Sequence, residues 1–157
     1  MKTNEISYIL GKRDPCTKKA FLGVFPSDLL ISPLGGGRRV YIVCNLDGVR
    51  FKGSHWVGIY LEKVVGGYKG EYYDSFGRRP DNVHIKNWLN YYCKTWTYNK
   101  TRVQNYLADT CGQHVIYYAS KRCRGLTMDE IVRLLKFSGN PDVEVFNYVQ
   151  NMSYLYI

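Results

Sequence analysis

Trp56-Val57-Gly58-Ile59-Tyr60-Leu61-Glu62-Lys63-Val64-Val65-Gly66-Gly67-Tyr68-Lys69-Gly70-Glu71-Tyr72-Tyr73-Asp74 is the stretch that decides how this chain folds. Its opening, Trp56 to Glu62, is short and rich in β-branched and aromatic residues, which predicts a strand. Val64-Val65-Gly66-Gly67 reads as a hairpin turn, and Glu71 to Asp74 as a strand returning antiparallel. Working outward, Val40 to Asn45 reads as a buried strand followed by a polar turn at Asp47-Gly48. Thr95 to Tyr98 alternates like a fourth strand.

The helices lie around these strands. Pro80-Asp81 opens an amphipathic helix with Val83, Trp88, Leu89 and Tyr92 on its inner side. Asp109 or Thr110 caps a helix from Cys111 to about Arg122. Thr127 caps another, Met128 to Phe137, with Asp129 and Glu130 in its first turn. The aromatic tail (Phe146, Tyr148, Tyr154, Tyr156) predicts a last helix. The first 35 residues read as irregular, with an aromatic turn at Phe21–Phe25 and a short helix at Ser27–Ile31 after Pro26. Helices flanking a small, mostly antiparallel sheet make an α+β domain, and 157 residues make one domain, 1–157.

Composition narrows the function classes. At 45% hydrophobic residues the chain can bury a core without staples. Five Cys, an odd number with no C-x-x-C pair, argue against a disulfide scaffold and a zinc ribbon and lead us to expect unpaired thiols. No 18-residue apolar run predicts a membrane span, and the polar Met1–Asp14 stretch has no signal-peptide pattern. The net charge is +9. Residues 1–124 hold 20 Lys/Arg against 9 Asp/Glu, many as pairs: Lys12-Arg13, Lys18-Lys19, Arg38-Arg39, Arg78-Arg79, Lys121-Arg122. That asymmetry fits a polyanion partner as well as a merely basic soluble protein.

Four residues could carry chemistry together. Cys111 opens a helix, where unpaired N–H groups and the dipole favour a thiolate nucleophile; a buried structural Cys is the plain alternative. His55, in Gly53-Ser54-His55-Trp56-Val57, sits at a strand mouth and could face a cleft as base; a solvated loop His is its alternative. Asp74, in Tyr73-Asp74-Ser75-Phe76-Gly77, ends the neighbouring antiparallel strand and could orient that imidazole. It also fits ordinary turn chemistry. Gln104, seven residues before Cys111, could lend its amide to an oxyanion hole together with the Cys111 N–H. His114 ranks second as base, because residues three apart on a helix point along it rather than at each other. His84 reads as structural.

In the order His, Asp, Gln, Cys, with the contexts G-x-H-W, Y-Y-D-S-F-G and Q-x6-C-G opening a helix, the sequence resembles the adenain-like cysteine proteases, the adenovirus maturation protease type. The resemblance runs from Phe21-Leu22-Gly23 to about Leu135. The short chain and the Asp-Ser-Phe-Gly motif look closest to the Maverick/Polinton and adintovirus branch; adenain itself is longer and carries Glu in place of Asp74. The clan also holds the proteases that process SUMO and other ubiquitin-like modifiers.

The resemblance implies a papain-like fold with permuted elements and a viral or virus-like endopeptidase. Such an enzyme cleaves after Gly in capsid or core precursors within the virion or infected cell. His55 would be the base, Asp74 its orienter, Cys111 the nucleophile, Gln104 the oxyanion donor and Trp56 a cleft wall. It further implies Cys93, eleven residues before Gln104, as the disulfide site for an activating peptide, with a structural helix-end Cys as the plain alternative, and DNA as a cofactor on basic surface. Leu34-Gly35-Gly36-Gly37 fits the Gly-Gly cleavage pattern and also a plain loop. A modifier protease and a non-enzymatic DNA-binding virion protein are the competing functions. No metal is implied, and a monomer is expected.

Overall fold

The computed structural model describes residues 1–47 and 55–154. The order of elements is α1 (Thr3–Tyr8), β1 (Phe21–Pro26), β2 (Arg39–Asn45), β3 (Trp56–Val64), β4 (Gly67–Tyr73), α2 (Val83–Tyr92), β5 (Cys93–Tyr98), α3 (Cys111–Cys123), α4 (Met128–Phe137) and α5 (Pro141–Tyr154). The strands form one sheet in the order β1-β2-β3-β4-β5. The central hairpin is antiparallel with Val64 opposite Gly67, as the quoted stretch predicts, and β2 is antiparallel to β3. Both edge pairings, β1 with β2 and β4 with β5, are parallel. The α+β reading stands, with a sheet more mixed than expected.

Strands β2 and β3 read as near-continuous apolar runs because both faces of the sheet are covered there. On one face Tyr41, Val43, Trp56, Tyr60 and Tyr73 pack with Ile6, Ile9 and Leu10 of the N-terminal segment and with α3, α4 and α5. On the other, Val40, Ile42, Cys44, Val57, Ile59, Leu61 and Tyr72 pack with Ile85, Trp88 and Leu89 of α2. Alternate residues of each strand therefore serve opposite layers. In α2 the inner side is Ile85, Trp88 and Leu89; Val83, expected there, is exposed, since Asn82 caps the helix and sets its phase.

The central helix, α3, is fixed to the sheet by specific contacts. A Cβ at Gly58 would lie 3.2 Å from the Tyr118 ring, so glycine permits the close approach. Tyr118 stacks on Tyr73 with ring centroids 4.4 Å apart and donates its hydroxyl to Glu71 Oε1. Arg122 pairs bidentately with the same carboxylate, both contacts 3.1 Å. Lys121 lies over the Tyr148 ring, 4.8 Å from its centroid. The Lys121-Arg122 pair, counted toward a polyanion surface from sequence, is thus spent on packing.

The first 35 residues are more ordered than the sequence suggested. They hold α1, a π-helical turn at Ile9–Arg13, the edge strand β1 where an aromatic turn was expected, and 3-10 turns at Ser27–Leu29 and Pro33–Gly35. Cys16 and Cys123 form a disulfide, Cα to Cα 6.1 Å. This corrects the expectation of five unpaired thiols. The partners are 107 residues apart, beyond any local spacing motif. Asp14, fully buried, receives two hydrogen bonds from Arg124 beside the bridge, so the N-terminal segment is clasped to the end of α3. Among the described residues no helix is long and apolar enough to cross a membrane.

Candidate active site

The site lies at the end of the sheet where β3 begins and β4 ends. Tyr73, the last residue of β4, is paired with Gly58, so Asp74 leaves its strand beside the residues that lead into β3. His55 immediately precedes β3 and is held there by Leu46 N–H donating to its carbonyl. Gly53 and Ser54, read as letting the backbone turn ahead of it, lie outside the described residues.

His55 Nε2 lies 2.7 Å from Asp74 Oδ1, and both residues are buried, at 8% and 1% exposure. The Cys111 thiol lies close enough to the same imidazole to favour its charged form. With Nε2 on the carboxylate, Nδ1 is the nitrogen left for the thiol. Burial works against a charged ring, but the hydrogen bonds and negative charge of Asp74 and Cys111 outweigh it and raise the His55 pKa to about 9. Cys111 is the first residue of α3 and is buried. Three residues far apart in sequence thus converge on one buried imidazole.

The Asp74-Ser75-Phe76-Gly77 turn accounts for its own sequence. Asp74 Oδ1 also accepts the Phe76 N–H at 2.9 Å, an Asx turn that aims the carboxylate. Ser75 Oγ donates to Gln104 Oε1 at 2.5 Å, and the Ser75 carbonyl accepts from Val103 and Gln104 N–H. Phe76 stacks on the His55 ring, centroids 4.7 Å apart. Gly77 has φ 70°, and a Cβ there would lie 2.6 Å from the Arg102 backbone nitrogen. Only glycine satisfies both demands. Sequence reasoning found Asp74 and missed its three neighbours, although the motif contained them.

Gln104 is buried, and its amide donates to the Ala108 carbonyl at 2.8 Å. The Ala108 carbonyl, an acceptor only, fixes which end of the amide is nitrogen, and among the described residues the second N–H has no partner. Two further positions had no local signal. Asn99, buried, accepts the Asp74 N–H at 2.9 Å and donates to the Asp74 carbonyl at 2.6 Å, locking the backbone that carries the carboxylate. Asp142, in the first turn of α5, accepts from Thr110 at 2.6 Å, Asn105 N–H at 3.0 Å and His114 Nε2 at 3.0 Å. It braces the loop between Gln104 and Cys111. Burial opposes the Asp142 charge, but these donors hold its pKa below the ordinary carboxylate value.

His114 is therefore a partner of Asp142, and His55 is the imidazole on the thiol. Thr110 occupies the N-cap position without a side-chain capping bond, because its hydroxyl goes to Asp142. Trp56 is buried beside His55 within the same core that holds Cys111. Cys93, expected at a peptide disulfide, is buried against Gly70 in the opposite layer. Burial pushes its thiol up to about 11. As folded, Cys93 is a packing residue at the end of α2. Cys44 packs in that layer too, its thiol pushed up to about 12, first by burial and then by the Asp28 charge.

Comparison with solved structures places this geometry. The chain has the fold of a cysteine protease of the SUMO-protease-like type. The ASFV pS273R protease superposes with a TM-score of 0.60 over 83% of this chain and 60% of that one, at 16% identity. A second structure of that protease, the Se-Met form, gives a TM-score of 0.47 over 62% of this chain and 39% of that one, at 20% identity. This chain thus spans less than two thirds of the length of the proteins it resembles. No family model and no curated protein matches the sequence.

Proposed function

We propose that this chain is a cysteine endopeptidase with Cys111 as nucleophile, His55 as acid and base, Asp74 as orienter and Gln104 as oxyanion donor. The observation that carries the reading is the buried chain Asp74–His55–Cys111 at the head of α3. Asp74 and Cys111 favour the protonated imidazole, so the proton of the thiol is accommodated on His55 Nδ1 and the thiolate is the attacking species. The thiolate adds to the scissile carbonyl. The resulting oxyanion takes hydrogen bonds from the Cys111 N–H and from the free N–H of Gln104 Nε2. Collapse to the thioester expels the amine, which leaves with the proton from His55. Water, deprotonated by His55, then releases the acid and restores the thiol.

For substrate we propose Gly-Gly sites in capsid or core precursors. Phe76 stacked on the imidazole, with Tyr106 stacked on Phe76, forms an aromatic wall beside the base that suits a slender glycine backbone. DNA docking on the basic pairs is part of the same proposal; Lys18-Lys19, Arg38-Arg39 and Arg78-Arg79 are exposed and available for it. If Leu34–Gly37 is a self-cleavage site, it is cut by another copy. It lies just before β2, whose far end, Asn45, is the one beside Trp56.

The test is labelling with an electrophile built on a peptide ending in Gly, followed by mapping of the modified Cys. Modification of Cys111, abolished in Cys111→Ala along with hydrolysis of Leu-x-Gly-Gly-x peptides, is expected. Modification of Cys44 or Cys93 instead would overturn the assignment. Preference for folded SUMO or ubiquitin fusions over such peptides would make it a modifier protease.

A further inference from the structure

The wall beside the imidazole carries positive charge that, among the described residues, no carboxylate pairs. Phe76, stacked on His55, has the Arg78 guanidinium 4.9 Å from its centroid and the Tyr106 ring at 5.4 Å. Arg102 lies over Tyr106 at 4.2 Å and spends one N–H on the Gln104 carbonyl at 2.9 Å. Both arginines are exposed. Among the described residues neither is ion-paired with a carboxylate, whereas Arg122 and Arg124 are.

Arg102 also lines a groove of about 460 Å³ with Asn105, Lys136, Asn140 and Asp142. The one carboxylate there, Asp142, already accepts from Thr110, His114 and Asn105, so its charge is turned toward the loop. A guanidinium held over an aromatic ring keeps donors available while losing rotamer freedom in advance. That is the arrangement that recognises a planar carboxylate through two parallel hydrogen bonds.

Resting on the endopeptidase reading, we propose that Arg78 and Arg102 form a subsite for an acidic side chain, so that preferred protein substrates carry Glu or Asp a few residues from the scissile bond. Cleft specificity then has two parts: small residues at the thiol and a carboxylate at the arginine rim.

The experiment compares peptide pairs around a Gly-Gly bond that differ only by Glu against Gln at one position, for each position in turn. We expect a kcat/KM ratio of about tenfold or more for Glu at one position. In Arg78→Glu, and more fully in Arg78→Glu/Arg102→Glu, the ratio falls to one or below and the matching Lys peptide becomes preferred. Reading the ratio within each variant removes any general loss of activity. A ratio of one at every position in the wild type, or a ratio that survives both charge reversals, overturns the subsite. So does a wild-type ratio of one together with duplex-DNA binding that the double variant loses, since the arginines then serve phosphates. Failure of every peptide with no labelling of Cys111 overturns the endopeptidase reading itself and the subsite with it, an outcome distinct from cleavage without preference.

Discussion

Asp74→Asn separates charge from geometry at the centre of the site. The amide oxygen can still accept the Phe76 N–H and a ring N–H of His55, as Asp74 Oδ1 does now, and the Asn99 bonds go to backbone atoms and stay. What disappears is the carboxylate charge that offsets the burial of the imidazole. The His55 pKa should fall from about 9 to its ordinary 6.5 or lower, a change of about 3 kcal/mol. At about pH 8 a ring of pKa near 9 is roughly nine-tenths protonated and one of 6.5 about 3% protonated, so kcat/KM should drop about 30-fold. At about pH 6 both rings are mostly protonated and the loss should be under about twofold.

The assay is kcat/KM on a Leu-x-Gly-Gly-x peptide across that range, with iodoacetamide inactivation as a substrate-free reading of the thiol. The stability consequence has the same sign. A pKa raised by folding stabilises fully below the unfolded value of about 6.5, and that contribution is lost as pH rises through about 9. The wild type should therefore exceed the variant in melting temperature most at mildly acidic pH, and the gap should close in alkali. A variant that folds and keeps its alkaline limb near pH 9, or loses activity equally at all pH, would refute the reasoning.

Three further outcomes follow from the same contacts. Asn99→Ala strands a buried N–H and a buried carbonyl of Asp74 and should cost roughly 2–4 kcal/mol in chemical denaturation, with kcat falling more than KM rises. Asp142→Ala should release Thr110, His114 and Asn105 together, lowering turnover at least about tenfold while Cys111 stays reactive to small electrophiles. Because folding lowers the Asp142 pKa, its contribution is present above about pH 4 and lost as pH falls through the depressed value, so the variant should lose the corresponding acid-side transition. Cys16→Ser/Cys123→Ser should lower stability by about 2–5 kcal/mol, seen as a shifted urea midpoint, without abolishing Cys111 labelling.

The sequence was most legible where local periodicity and chemistry coincide. The Trp56–Asp74 hairpin, the helix from Cys111 and the Thr127-capped helix follow from strand pattern, turn glycines and capping residues, and each appears within a few residues of its expected bounds. His55 and Asp74 met because an antiparallel pair puts the start of one strand by the end of the other. What escaped is non-local. Strand β1 has every residue only partly buried and carries Gly23 and Pro26, so it lacks the pattern of a strand, and its parallel partner is reached by a connection rather than a turn. The Cys16–Cys123 bridge and the Asn99 and Asp142 anchors join segments with no shared spacing.

Ser75 and Phe76 are the instructive case, because they were quoted within a motif and given no role. A motif surrounding a functional carboxylate is short because the backbone turn that aims the carboxylate also aims its neighbours. Asp74 takes the imidazole edge, Ser75 fixes the Gln104 amide, Phe76 covers the imidazole face, and Gly77 lets the Thr101–Arg102 backbone approach. The turn thus places the proposed base and the proposed oxyanion donor by one piece of chain. A substitution at Ser75 or Phe76 should act on two candidate groups at once, so its cost should not equal the sum of the costs at His55 and Gln104 taken singly.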